Sequence, residues 1–187
     1  MPDLRVNVCG VPFKNPVIAA SGTFGFGKEF NEIYDISVLG GISTKGLTLE
    51  PRLGNPMPRI AEGYGVILNA VGLQNPGVEE FVCDDLPFLR SKDAVVIANV
   101  AGRTIDDYAG ICARLDGLVD MVELNISCPN VKCGGMAFGI RPESVKEVTR
   151  AAKSAPKKTP LIVKLSPNVE SIAANALAAQ EGGADCL

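Results

Sequence analysis

The run Asn125-Ile126-Ser127-Cys128-Pro129-Asn130-Val131-Lys132-Cys133-Gly134-Gly135 concentrates residue types that can do chemistry. A thiol stands between two asparagines, a proline restricts the backbone beside it, and two adjacent glycines let the segment move. Amide side chains both donate and accept, so the pattern suits a planar ligand with several amide-like edges. An isolated cysteine is better read as a packing residue, with Asn125 and Ser127 serving local backbone groups. The bracketing amides and the proline favour a site. The chain has no histidine, which excludes imidazole acid–base or nucleophilic catalysis. Two lysines stand out for their settings. Lys45 is expected to end the second strand, before Gly46; Lys164 lies inside the apolar run Leu161–Leu165. A lone lysine is ordinarily a solvated surface charge, but one in an apolar strand needs a partner if it points inward.

These residues require a scaffold that brings strand ends together. Short apolar runs at Val17–Ala20, Gly41–Thr44, Ala94–Val100, Asp120–Asn125 and Leu161–Leu165 read as buried strands, preceded by a hairpin of Leu4–Val8 and Val11–Phe13. Helical spacing predicts helices over Gly27–Tyr34, Val78–Leu89, Ile105–Leu115, Pro142–Ala155 and Val169–Glu181. Near-continuous apolar strands alternating with helices predict a parallel sheet with helical crossovers. Ser21, Lys45, Asn99, Asn125 and Lys164 all fall at or near strand C-termini, the rim on which (β/α)8 barrels build their active sites. A doubly wound dinucleotide fold would want G-x-G-x-x-G after the first strand, and Gly22, Gly25 and Gly27 have the wrong spacing. The fold expected is therefore an α/β (β/α)8 barrel with an N-terminal hairpin, residues 1–187 forming one partial domain. The ending Gly182-Gly183-Ala184-Asp185-Cys186-Leu187 reads as a helix stop and the opening of a sixth strand, so the barrel is expected to be truncated.

Bulk properties narrow the function classes. A net charge of -3 with no basic run gives no reason to expect nucleic acid, and no apolar stretch approaches the roughly 20 residues of a membrane span. The N-terminus lacks the order of a signal peptide, so a cytoplasmic protein is expected. Six scattered cysteines without Cys-x-x-Cys spacing argue against a disulfide scaffold or a zinc site. Cys9, Cys112 and Cys186, among apolar neighbours, are expected to be small buried hydrophobes.

The Asn-x-Ser-Cys-Pro-Asn motif at Asn125–Asn130 resembles the active-site loop of class 1 dihydroorotate dehydrogenases. Its continuation Val131-Lys132-Cys133-Gly134-Gly135-Met136-Ala137-Phe138-Gly139 resembles the class 1B, NAD-linked branch. Further segments agree in order along the chain: Ala20–Gly27, Arg52–Pro56, Asn69–Gly77, Ala98–Gly102 and Val163–Asn168. The resemblance implies oxidation of dihydroorotate to orotate in pyrimidine biosynthesis, with FMN as hydride acceptor and Cys128 as general base. It assigns Ser21, Gly22, Lys45, Gly46, Asn99, Asn125 and Lys164 to FMN. It assigns Lys45, Asn69, Ala70, Val71, Gly72, Leu73, Asn125 and Asn130 to the substrate. Asn-Ala-Val-Gly alone would read as a surface turn. Thr23 and Phe24 are read as packing residues, and Cys133 is given no catalytic role. No metal is implied. The class 1B resemblance implies an FAD and iron–sulfur subunit passing electrons to NAD, and a homo-oligomer is expected. The parts expected to hold the FMN phosphate lie after the seventh and eighth strands of such barrels, so this chain alone is expected to bind FMN weakly or not at all. The pyrimidine-reducing module of dihydropyrimidine dehydrogenases and a non-catalytic partial barrel are the alternative readings.

Overall fold

The computed structural model describes residues 2–127, 136–154 and 158–187. An antiparallel hairpin opens the chain, β1 (Val6–Val8) on β2 (Val11–Phe13). Its turn is Cys9-Gly10, both at positive φ, and the Asn7 side chain accepts from Gly10 N at 2.9 Å. Then follow β3 (Ile18–Ala19) and β4 (Gly41–Ser43), a second hairpin of β5 (Ile60–Gly63) and β6 (Val66–Asn69), and β7 (Val95–Val100), β8 (Met121–Asn125) and β9 (Leu161–Lys164). The central sheet is parallel with strands in the order β3-β4-β7-β8-β9. Strands adjacent in this sheet are also consecutive among its members along the chain, as in the growing wall of a barrel.

The helices are α1 (Ser21–Phe24), α2 (Lys28–Asn31), α3 (Val78–Glu80), α4 (Leu86–Arg90), α5 (Ile105–Leu115), α6 (Met136–Ile140), α7 (Pro142–Ser154) and α8 (Ile172–Gly182). A π-helical turn, Phe81–Asp85, joins α3 to α4. Strand alternation explains the layers. Val96, Ala98 and Val100 of β7, with Val122 and Leu124 of β8, are fully buried in the main core. They share that core with the α5 stripe Tyr108, Ile111, Cys112 and Leu115, spaced at helical intervals. The alternate residues Ile97 and Met121 meet Phe13 of the hairpin in a smaller cluster. The hairpin thus packs beneath the inner face of the sheet.

Local chemistry sets the element ends. A capping box starts α5: Thr104 Oγ1 accepts from Asp107 N at 3.1 Å, and the Asp107 carboxylate accepts from Thr104 N at 3.2 Å. Ser171 caps α8, which stops at Gly183 with φ of 100°.

Several expectations are corrected. The helix expected over Gly27–Tyr34 is only the single turn α2, because Phe30 O accepts from both Ile33 N and Tyr34 N and closes the turn. β4 stops at Ser43, so Lys45 lies two residues past the strand; its backbone N turns instead to Gly25 O at 2.9 Å. Ala155, placed in a helix by sequence, lies outside the described residues. The β5–β6 hairpin was not anticipated, since its apolar residues Ile60, Val66, Ile67 and Leu68 are all exposed and show no one-sided pattern. Cys9 is exposed rather than buried: it occupies the hairpin turn, with its thiol donating to Asp185 O at 3.0 Å. Cys186 is half-buried, its backbone bridging Ile162 of β9. Among the three, only Cys112 is the buried hydrophobe expected.

Burial pushes the Cys112 thiol up from 9.0 to about 12. The unfolded thiol ionises near its ordinary value while the folded one holds its proton. Its contribution to stability is therefore complete below about pH 9 and is lost as pH rises toward 12. At neutral pH Cys112 should resist maleimide while exposed Cys83 reacts. Peptide mass spectrometry with and without urea checks this; Cys112 labelled as fast as Cys83 in the native protein would contradict it.

Candidate active site

The C-terminal ends of the five central strands converge on one cleft of about 420 Å³. Ser21 begins α1 directly after β3 and is 5% exposed. Lys164 ends β9. These two strands are the opposite edges of the sheet, which would lie about 19 Å apart if four steps of ~4.8 Å ran flat. Instead Lys164 Nζ lies 3.4 Å from Ser21 Oγ. The sheet therefore curls, and its inner face closes around the cleft as a barrel wall does.

The cleft's polar groups come from successive strands. Asn99, fully buried on β7, donates its backbone N–H to Thr44 Oγ1 at 3.2 Å. Asn125 closes β8, and its carbonyl accepts from the Tyr108 hydroxyl at 3.0 Å, tying the strand end to α5. Asn125 Nδ2 donates to Asn99 Oδ1 at 3.3 Å, and Asn125 Oδ1 accepts from Ser127 Oγ at 3.2 Å. Lys45 Nζ reaches Gly22 O at 3.5 Å. Among the described residues neither Lys45 nor Lys164 forms an ion pair. Their two ammonium groups give the cleft a positive character suited to an anionic ligand.

Gly46 keeps the cleft open. A Cβ there would stand 2.9 Å from Asn99 Oδ1 and 3.0 Å from Leu73 Cδ1. The opposite wall is the segment after β6. Asn69, Val71, Gly72 and Leu73 line the cleft, with Gly72 and Leu73 both at positive φ. At Gly72 a Cβ would meet Asn55 N at 2.8 Å, so this turn requires glycine twice over. Ala70 uses its backbone elsewhere, donating to Arg59 O at 2.8 Å and accepting from Asn55 Nδ2 at 2.8 Å.

A cleft of this composition, at the C-terminal rim of a curling parallel sheet, agrees with what known proteins show. A family model described as dihydroorotate dehydrogenase matches residues 3–187. The chain belongs to the dihydroorotate dehydrogenase family. It is 56% identical over 184 residues to the dihydroorotate dehydrogenase B (NAD(+)) catalytic subunit of Alkaliphilus metalliredigens, covering 98% of this chain and 61% of that protein. With the protein of the same description from Petrotoga mobilis it shares 55% over 188 residues, covering 100% and 62%. The chain thus spans about three-fifths of the length of these curated relatives. The solved dihydroorotate dehydrogenase of Eimeria tenella, in complex with ferulenol, superposes with a TM-score of 0.78 at 23% identity, covering 98% of this chain and 58% of that one. That likeness shows the fold, a (β/α) barrel of which this chain builds five strands.

Against this dihydroorotate dehydrogenase frame, the cleft gathers Ser21, Gly22, Lys45, Gly46, Asn69, Val71, Gly72, Leu73, Asn99, Asn125 and Lys164. Cys128 and Asn130 lie outside the described residues. Thr23, read from sequence as packing, lines the cleft, while Phe24 packs in the core. Sequence reading missed Glu123 and Ser43. Glu123 accepts from Asn99 Nδ2, and from Ser43 Oγ at 3.3 Å. The signal was there, since Glu123 sits two residues before Asn125 on one strand and so shares its face. Among the described residues no three or more His, Cys, Asp or Glu side chains gather as a metal site would need, and no helix is long and apolar enough to cross a membrane.

Proposed function

We propose that this chain supplies the cysteine loop and most of the ring-binding cleft of an FMN-dependent enzyme oxidising dihydroorotate to orotate. The observation that carries the reading is the convergence of Lys45, Asn99, Asn125 and Lys164, from the ends of four consecutive sheet strands, on one cleft. Asn125 leads directly through Ser127 to Cys128.

The residues present fit a flavin ring. Two amides, two ammonium groups and the buried Ser21 hydroxyl suit a flat heterocycle with alternating donors and acceptors. The space a Cβ at Gly46 would fill lies against Asn99. Bound FMN would supply the hydride acceptor for the reaction. Ser21, Gly22, Lys45, Gly46, Asn99, Asn125 and Lys164 would hold it, with Lys164 placing a cation where negative charge arrives on reduction. Lys45 would pair with the substrate carboxylate. Asn69, Ala70, Val71, Gly72 and Leu73 would form the wall beside the substrate, with Asn125 and Asn130 adding amide contacts. Cys128 would take the proton from the carbon next to the one losing hydride, as its thiolate.

The names of the relatives, catalytic subunits of an NAD(+)-linked enzyme, support a partner subunit, for which an FAD and iron–sulfur protein passing electrons to NAD is the reading proposed. The exposed apolar side chains of Ile60, Val66, Ile67 and Leu68 on the second hairpin support self-association. Cytoplasmic residence and a single continuous domain complete the reading. The test is anaerobic addition of dihydroorotate, with FMN in excess, to the protein extended to the full length of its curated relatives. Loss of visible flavin absorbance with matching orotate formation is expected. Bleaching by dihydrouracil but not by dihydroorotate would move the assignment to the dihydropyrimidine dehydrogenase type.

A further inference from the structure

Beneath the cleft lies a carboxylate that the proposed chemistry does not use. Glu123 Oε1 accepts from Asn99 Nδ2 and from Ser43 Oγ at 3.3 Å. A carboxylate has only acceptors to offer, so it admits one orientation of the Asn99 amide. Turned over, Asn99 would set its carbonyl oxygen against a carboxylate oxygen in a fully buried position. With Nδ2 committed downward, Asn99 Oδ1 is left to accept from Asn125 Nδ2 at 3.3 Å. The Asn125 oxygen then accepts from Ser127 N at 3.4 Å and Ser127 Oγ at 3.2 Å. Reversing Asn125 would oppose two donors at one end and two acceptors at the other. One carboxylate therefore sets the polarity of a relay that ends at Ser127.

We propose that Glu123 is a positioning residue, fixing Asn99 to show an acceptor and Asn125 a donor to the cleft, so that the site selects a flat heterocycle with adjacent N–H and C=O groups. Asn99 Oδ1 has a second lone pair and Asn125 Nδ2 a second proton to present to that edge. Both side chains line the cleft. Only the identity of the heterocycle rests on the flavin reading. The amide polarity itself is a property of the chain without ligand.

The decisive experiment is NMR on the chain selectively ¹⁵N-labelled at asparagine, comparing wild type, Glu123→Gln and Glu123→Met. In the wild type one Asn99 side-chain proton should be displaced downfield and exchange slowly. Glu123→Gln keeps an acceptor oxygen in place and should preserve both features. Glu123→Met matches the length without an acceptor, and Asn99 exchange should quicken by about tenfold or more. Unchanged Asn99 signals in Glu123→Met would overturn the proposal, as would Glu123→Gln behaving like Glu123→Met while the backbone spectrum stays native. A second arm, on the protein extended to the full length of its curated relatives, compares FMN with its N3-methylated analogue by fluorescence quenching. The wild type should prefer FMN by about tenfold or more, and Glu123→Met should lose the preference. Failure of FMN to bind at all would count against the flavin reading alone, because the amide signals are read without it.

Discussion

Replacing Cys128 with alanine should slow reduction of bound FMN by dihydroorotate by about a hundred- to ten-thousand-fold, the usual contribution of a positioned base. That span corresponds to ~3–5 kcal/mol of barrier. Orotate binding should change little, because groups proposed to hold it, among them Lys45, Asn69 and Asn125, line the cleft independently of the thiol. A serine at the same position keeps a hydroxyl that ionises far less readily than a thiol. Cys128→Ser should therefore recover only part of the rate and need higher pH to do so. Anaerobic stopped-flow absorbance across pH 6 to 10 reads both effects, roughly bracketing the reference thiol value. A Cys128→Ala protein reducing flavin within threefold of wild type would remove the cysteine from the mechanism. Unchanged rate with weakened orotate binding would recast it as a binding residue.

The sequence disclosed the frame of this site because barrel strands end where their apolar runs end. In Ala94–Val100 the run breaks at Asn99, and in Asp120–Asn125 it breaks at Glu123 and Asn125. Those breaks mark the inner face near the rim. Lys164 was legible as a cation inside the apolar run Leu161–Leu165, though the strand itself ends on it. What stayed hidden depends on distant parts of the chain. The curl that brings Lys164 to Ser21 joins residues 143 positions apart, and nothing local in either segment encodes it. The β5–β6 hairpin stayed hidden because alternation identifies a strand only when one face is buried, and here both faces are exposed. The short α2 was overestimated because helical spacing over Gly27–Tyr34 says nothing of which carbonyl closes the turn. Glu123 could have been found by counting two residues back from Asn125, but its role depends on Asn99, which the parallel register places opposite it.

That register also explains why charge matters more in this cleft than at the surface. Asn99 pairs with Glu123, and Asn125 with Lys164, so a carboxylate and an ammonium group occupy successive inward positions of neighbouring strands. The carboxylate is occupied below by Asn99 and Ser43. The two ammonium groups keep their charge for the cleft, because among the described residues neither has a carboxylate partner. Neutralising either one should reveal which part of the ligand it meets.

Lys45→Met tests this most directly and should weaken orotate binding by about ten- to a hundredfold, the range expected for losing a hydrogen bond between charged groups. The effect should shrink for a substrate analogue whose carboxylate is an amide, because Lys45 then has no anion to meet. Lys164→Met, beside Ser21, should instead leave orotate affinity within about threefold and make bound FMN harder to reduce. One missing cation near the ring is expected to shift the equilibrium by about tenfold, roughly 1.4 kcal/mol. Orotate titration followed by flavin absorbance and a redox titration against a dye of known potential separate the two lysines. If both variants lose orotate equally and neither changes the potential, the charges act together as a general anion trap. The assignment of Lys45 to substrate and Lys164 to flavin would then be wrong.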